Sequence, residues 1–144
     1  MSKASKRGLI EEELTQSAIG AFYAVHNTLG FGFLESIYSR AMHVALEYRG
    51  HRVAREVPIT MLYRGVEVGR HRLDLVVDHA LVLESKSSEK LQPDFRRQLL
   101  NYLKASGFEV GLFLHFGRRA DFYRVVLQND EKISELPAAL HESS

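Results

Sequence analysis

The chain alternates between two hydrophobic periods, and the switches between them mark its elements. From residue 11 to 29, Leu14, Ala18, Ala21, Phe22, Val25 and Leu29 recur at helical spacing. Glu11, Glu12 and Glu13 open that run, where a helix dipole favours negative charge. Gly30-Phe31-Gly32 breaks it, and a second helical run follows from about Phe33 to Arg49. Leu34, Ile37, Tyr38, Ala41, Ala45 and Tyr48 form its predicted stripe, with Gly50 placed to cap it. The period then drops to two. Val53, Val57, Ile59 and Met61 alternate with polar residues, and Pro58 among them argues for an edge strand or a bulge. Arg64-Gly65 reads as a turn, Val66 to Val77 as a second strand and Leu81 to Lys86 as a third. A loop from Ser87 to Lys90 leads to a third helix, marked by Leu91, Phe95, Leu99, Tyr102 and Leu103 and ended at Gly107. Glu109 to Phe116 is a fourth strand and Phe122 to Leu127 a fifth.

The predicted order is α-α-β-β-β-α-β-β. Strand 3, helix 3 and strand 4 have the length of a right-handed crossover, so those two strands are expected to be parallel. This implies an α+β fold with a mixed central sheet flanked by helices. Residues 9–128 are expected to form a single domain, after a disordered lead-in at 1–8. A polar tail at 129–144 carries one docking turn around Leu136 to Leu140.

Composition narrows the class only modestly. The 144 residues include no cysteine, which excludes disulfides and thiolate metal sites. No apolar run approaches the ~20 residues of a membrane span, and the basic start lacks the apolar segment of a signal peptide. A cytoplasmic protein with no membrane partner is expected. Net charge is +1. From Lys86 to Arg124, however, eight Lys and Arg face four Asp and Glu, a basic half that equally describes an ordinary solvated surface.

The segment from Arg72 to Lys86 changes the picture. Two apolar runs flank Asp78-His79-Ala80, yet Asp74 lies in the first run and Glu84 and Lys86 in the second. Ionised groups inside apolar strands cost several kcal/mol unless paired or bound to a metal. A two-residue loop would set Asp74 opposite Leu83, and a three-residue loop (78–80) opposite Glu84. Burial favours the second register, which gathers Leu73, Leu75, Val77, Leu81 and Leu83 on one face and Asp74, Glu84 and Lys86 on the other. Carboxylates facing each other across a strand pair, with Cβ atoms ~5 Å apart, repel unless a cation or proton lies between them. A hard divalent cation suits that donor set better than zinc. An ion-pair cluster without catalytic use is the alternative. Glu35 stands in a first helical turn, where the dipole alone accounts for it. Gln98 and Tyr102, four apart on helix 3, face the same way.

These signals together match a known pattern. Gly32-x-x-Glu35-x-x-Tyr38, preceded by His26-x-x-Leu29-Gly30, resembles the signature of the GxxExxY family of the PD-(D/E)xK nuclease superfamily. Asp74 resembles that superfamily's strand aspartate and Glu84-x-Lys86 its (D/E)-x-K, while Gln98-x-x-x-Tyr102 resembles the Q-x-x-x-Y of the RecB-like branch. The proline of the superfamily's name is absent, with Leu73 before Asp74. The resemblance implies a restriction-endonuclease-like α-βββ-α-β core with an extra N-terminal helix, and hydrolysis of phosphodiester bonds with Mg²⁺ or Mn²⁺. It implies that Asp74, Glu84, the Leu83 carbonyl and Glu35 hold the metal and that Lys86 orients the attacking water. Gln98 and Tyr102 would position the lysine, a water or a phosphate, and His26 would stand near Glu35. Nucleic acid is the expected partner, DNA ahead of RNA, with Arg70, Arg72, Lys90, Arg96 and Arg97 as phosphate contacts. A protein partner supplying specificity, and a homodimer through the edge strand around Pro58, are further expectations. The alternative function is a catalytically inactive nucleic-acid- or protein-binding module on the same fold.

Overall fold

The structure, a computed structural model, describes residues 10–133, so the lead-in at 1–8 and the turn at 136–140 lie outside the described residues. Two helices come first, α1 (Glu12–Leu29) and α2 (Glu35–Tyr48). Three strands follow, β1 (Val53–Tyr63), β2 (Val66–Val77) and β3 (Leu81–Lys86). Then come α3 (Phe95–Lys104), β4 (Val110–Phe116), β5 (Ala120–Val126) and a short α4 (Asn129–Ile133). The strands lie in sequence order in one sheet. β3 and β4 are parallel and the other neighbours antiparallel, the mixed sheet expected of a crossover through α3. β1, which carries Pro58, is an edge strand.

The sheet is covered on both faces at its centre, so the end of β2 from Leu75, the start of β3 to Leu83 and all of β4 are buried continuously rather than alternately. On one face α1 and α2 pack Ala18, Phe22, Tyr38, Met42 and Leu46 against Leu75, Leu83, Leu112 and Phe116. On the other α3 packs Leu99 and Leu103 against Leu73, Val76, Val82 and Phe113. Tyr38 lies flat on Phe116, with ring centroids 4.1 Å apart. At Gly111 the β4 backbone runs against Leu99, leaving about 3.0 Å between the Leu99 methyl and a would-be Cβ.

Three local differences from the sequence pattern have clear causes. The buried stripe of α2 is Tyr38, Met42 and Leu46, while Leu34, Ile37 and Tyr48 of the expected stripe are exposed. Residues 38, 42 and 46 share a face at i, i+4 and i+8, and the helix turns that side to the sheet. α3 starts at Phe95 rather than Leu91, because Pro93 disfavours helix in the residue before it. Leu91 still packs against the α3-side core from the loop. The polar segment from Asn129 begins with helix, docked by Lys132 Nζ donating to the carbonyls of Ser106 (2.9 Å) and Phe108 (2.5 Å).

The β2–β3 turn spans residues 78–80, with Asp78 and His79 both at positive φ. Asp78 is held from outside: its carboxylate accepts the Arg52 N–H (2.8 Å) and the His51 Nδ1–H (2.7 Å), while His51 Nε2 accepts the Ser17 hydroxyl (2.7 Å). Burial would raise the Asp78 carboxyl, but these two donors outweigh it and hold it below the usual range. The chain α1–His51–Asp78 thereby fixes the turn that sets the β2–β3 register.

Candidate active site

The register is the one that the three-residue turn requires. Leu75 pairs with Leu83, Val76 with Val82 and Val77 with Leu81. One residue further, Asp74 faces Glu84, and there the backbone ladder stops. Side chains replace it: Asp74 Oδ2 accepts the Ser85 N–H (2.8 Å), and Glu84 Oε1 accepts the Asp74 N–H (3.2 Å). Each carboxylate takes the place of a strand carbonyl.

Both strands of the β1–β2 hairpin change face at this point. Val53, Leu75 and Val77 pack toward α1 and α2, whereas Val57, Ile59, Met61 and Leu73 pack toward α3. Leu73 therefore does not share a face with Leu75, as strict alternation would have it. The cause lies across the pair. Glu56, between the pairs Arg55↔Leu75 and Val57↔Leu73, has a φ of 52°, which turns the strand over locally. Asp74 is at the centre of that twist.

Groups from both helical layers reach the carboxylates. Glu35, in the first turn of α2, has Oε1 3.8 Å from Lys86 Nζ, and its Oε2 accepts the Ser87 N–H (3.4 Å). From the other side Tyr102 of α3 stacks on His71, with centroids 3.8 Å apart, and His71 Nε2 is 3.2 Å from Glu84 Oε1. His71 was not a sequence candidate. Three residues from Asp74, it belongs by strand alternation to the opposite face, and only the twist at Glu56 brings the two together.

Burial dominates the electrostatics. It pushes the Glu84 carboxyl up to about 8, with the Asp74 charge adding to it and Lys86 opposing. Burial also raises Asp74, against the Ser85 N–H and His71. It lowers His71, a shift opposed by Asp74 and aided by Lys86. The Tyr102 phenol is raised by burial and by both carboxylates.

The other sequence candidates lie further out. His26 Nε2 donates to the Gly117 carbonyl (2.8 Å) and its ring stacks on Phe116, so it fastens α1 to the end of β4. Gln98 is exposed one turn before Tyr102, with no side-chain hydrogen bond among the described residues. Arg70 pairs with Glu67 on the hairpin, and Arg96 lies over the Tyr123 ring. Arg72, Lys90 and Arg97 are exposed. Two arginines outside the candidate set share a hollow with Asp74: Arg40 and Arg55 line a volume of about 240 Å³ together with Ser36, Ser39 and the carboxylates of Glu35, Glu56 and Asp74. Ser36, Ser39 and Arg40 share a helix face at i, i+3 and i+4, a spacing visible in the sequence.

Among the described residues no three His, Asp or Glu side chains are arranged to enclose a metal ion. The donor set nevertheless suits Mg²⁺ or Mn²⁺. Magnesium is commonly bound through one or two carboxylates, keeping waters and substrate phosphate for the rest of its shell. Asp74 and Glu84 are two such carboxylates, with neither sulfur nor a histidine pair to favour zinc.

This architecture, with its ladder ending in two carboxylates, is a restriction-endonuclease-like α+β fold. The chain matches the model of the PD-(D/E)XK nuclease superfamily over residues 12–125, and it belongs to that superfamily. The solved structure of SSO0001 superposes on 96% of this chain and 68% of its own, with a TM-score of 0.53 and 20% identity, which shows a common fold. An alkaline exonuclease (LHK-Exo) from Laribacter hongkongensis covers 74% of this chain at 15% identity and a TM-score of 0.49. This chain spans 61% of that exonuclease. No curated protein matches the sequence. Among the described residues no helix is long and apolar enough to cross a membrane.

Proposed function

We propose that this protein is a divalent-metal-dependent nuclease that hydrolyses phosphodiester bonds in DNA, of the GxxExxY type with Gly32, Glu35 and Tyr38 as its signature. The observation that carries this is the meeting of Asp74 and Glu84 where β2–β3 pairing ends, with Lys86 two residues on. Asp74, Glu84 and the Leu83 carbonyl would hold the cation, with Glu35 contributing directly or through water. When bound, the cation polarises the phosphate and lowers the pKa of its water. Lys86 places a positive charge where negative charge develops on the phosphate oxygens. Glu35 holds that ammonium in place. Tyr102 and His71 wall the α3 side and keep water off Glu84. Arg40 and Arg55 bind the phosphate next along the strand, and Arg72, beside Asp74 on β2, extends the basic path.

Cleavage of labelled DNA with Mg²⁺ or Mn²⁺, measured for the wild type, Asp74→Asn and Lys86→Met, tests this. Each substitution is expected to lower kcat by at least about a hundredfold, with melting and circular dichroism unchanged. Persistent cleavage by Asp74→Asn, or no cleavage of DNA in any form by the wild type, refutes the assignment. Cleavage of RNA alone refutes only the DNA part.

A further inference from the structure

The site has two hollows that share Glu35. On one side Ser36, Ser39, Arg40 and Arg55 offer donors to a phosphate, beside the carboxylates of Glu56 and Asp74. On the other, a hollow of about 350 Å³ lies between the loop 31–34 and Ser87–Ser88. This second hollow has one apolar wall, Phe31, Phe33 and Leu34, facing Glu35, Ser87 and Ser88. Phe33 is 43% exposed and Leu34 74%, and the Arg118 guanidinium lies over the Phe31 ring at 5.1 Å.

Solvent-facing apolar side chains usually belong to segments that can shift to hide them, yet this loop is clamped. Tyr38, itself fully buried, donates its hydroxyl to the Gly30 carbonyl and accepts the Phe33 N–H. Ser87 Oγ donates to the Phe33 carbonyl (2.6 Å) from the end of β3. The core thus fixes Phe33 and Leu34 outward, at the rim of the carboxylates. Other apolar side chains of this protein are exposed too, but Phe33 and Leu34 are the ones held fixed beside Glu35, which makes them a candidate contact for something outside the chain.

We propose that the 31–34 loop is a base-binding lip, and that the substrate is single-stranded or frayed nucleic acid rather than closed duplex. The inference rests on the nuclease assignment for the same site. A strand crossing Glu35 would lay its phosphates on the Arg40–Arg55 side and turn a base onto Phe33 and Leu34. Bases inside a duplex are stacked and offer no face to such a lip; unstacked bases do, whatever their sequence. A protein partner would match the apolar lip but would not use an arginine-lined hollow on the other side of the same carboxylates.

Fluorescence anisotropy of a labelled single-stranded oligonucleotide and of a hairpin-closed duplex, without metal, tests the lip. The wild type is expected to favour the single strand by about tenfold or more, the scale of one base stack. Leu34→Ser and Phe33→Ala should each lose about tenfold on the single strand and under about twofold on the duplex. Val44→Ser, on the outer face of α2, should change neither. Leu34 makes few internal contacts, so its variant decides the matter even if Phe33→Ala misfolds. A preference for closed duplex, no binding of nucleic acid, or equal losses on both forms overturns the lip. With Mn²⁺ added, a single strand bound in this manner but never cut removes the nuclease assignment and leaves the lip standing. Closed duplex cut as fast as single strand, with Leu34→Ser at wild-type rates on both, removes the lip alone.

Discussion

At the scale of single residues, the carboxylates serve two purposes at once. Asp74 and Glu84 complete the hydrogen bonding of two strands, and under the proposed function they would also hold the cation. Their opposition was legible in the sequence through the three-residue turn, which sets residue 74 opposite residue 84, whereas the face taken by Leu73 was not, because the strand turns over between Leu73 and Leu75. His71 was not, since alternation assigns it to the wrong face. Arg40 and Arg55 were missed for a simpler reason: the weight placed on Arg70 to Arg97 followed proximity in sequence, whereas α2 and β1 approach Asp74 only in the fold. Glu84 carries a measurable signature. With its carboxyl raised from 4.5 to about 8, the folded protein holds more protons than the unfolded chain between those values. Stability without metal must therefore fall as pH rises through that window and level off above it. Glu84→Gln should remove most of the decline, so that its advantage over wild type grows from pH 4.5 to 8 by up to about 1.4 kcal/mol per pH unit, the remainder of the decline belonging to Asp74. Denaturant titrations across that range decide it, and parallel curves would count against the burial of Glu84.

At the scale of elements, period and punctuation located all five strands and three helices, and their errors are instructive. In α2 the expected and buried stripes share Tyr38, with Ala41 and Ala45 partly buried beside it, and differ by a modest rotation, which a sequence with apolar residues on several faces does not specify. The onset of α3 was overruled by one proline. What no pattern signalled was the twist at Glu56, because a positive φ in a non-glycine strand residue leaves no trace in hydrophobic periodicity. α3 lies close on the sheet at Gly111, where an added methyl would meet Leu99 at about 3.0 Å. Gly111→Ala should cost about 1–3 kcal/mol through displacement of α3. Gly69, on the hairpin, would meet only Met61 at 3.5 Å. Gly69→Ala should be neutral or stabilising by up to about 1 kcal/mol. Equilibrium unfolding of the two variants makes the comparison directly.

At the scale of the molecule, the α+β order and the parallel β3–β4 pair were legible because the crossover rule leaves few alternatives. The basic half of the sequence was less informative: Arg96 and Arg118 are already occupied by the Tyr123 ring and Glu89, as Arg70 on the hairpin is by Glu67. A net charge of +1 and a short arginine path imply modest electrostatic binding. If Arg40, Arg55 and Arg72 are the principal phosphate contacts, log affinity for single-stranded DNA should fall with log salt at a slope of about −2. A slope steeper than about −5 would mean a larger basic surface is engaged. The replacement of ladder hydrogen bonds by carboxylates has one further consequence, for how the molecule opens. Ser85 is a buried strand residue, yet its amide proton rests on the Asp74 side chain rather than on a neighbouring carbonyl. Its exchange with deuterated solvent should therefore follow local release of one carboxylate, not global unfolding. In Asp74→Ala that single amide is expected to exchange much faster while Leu83 keeps its protection, making Ser85 a built-in reporter of the site.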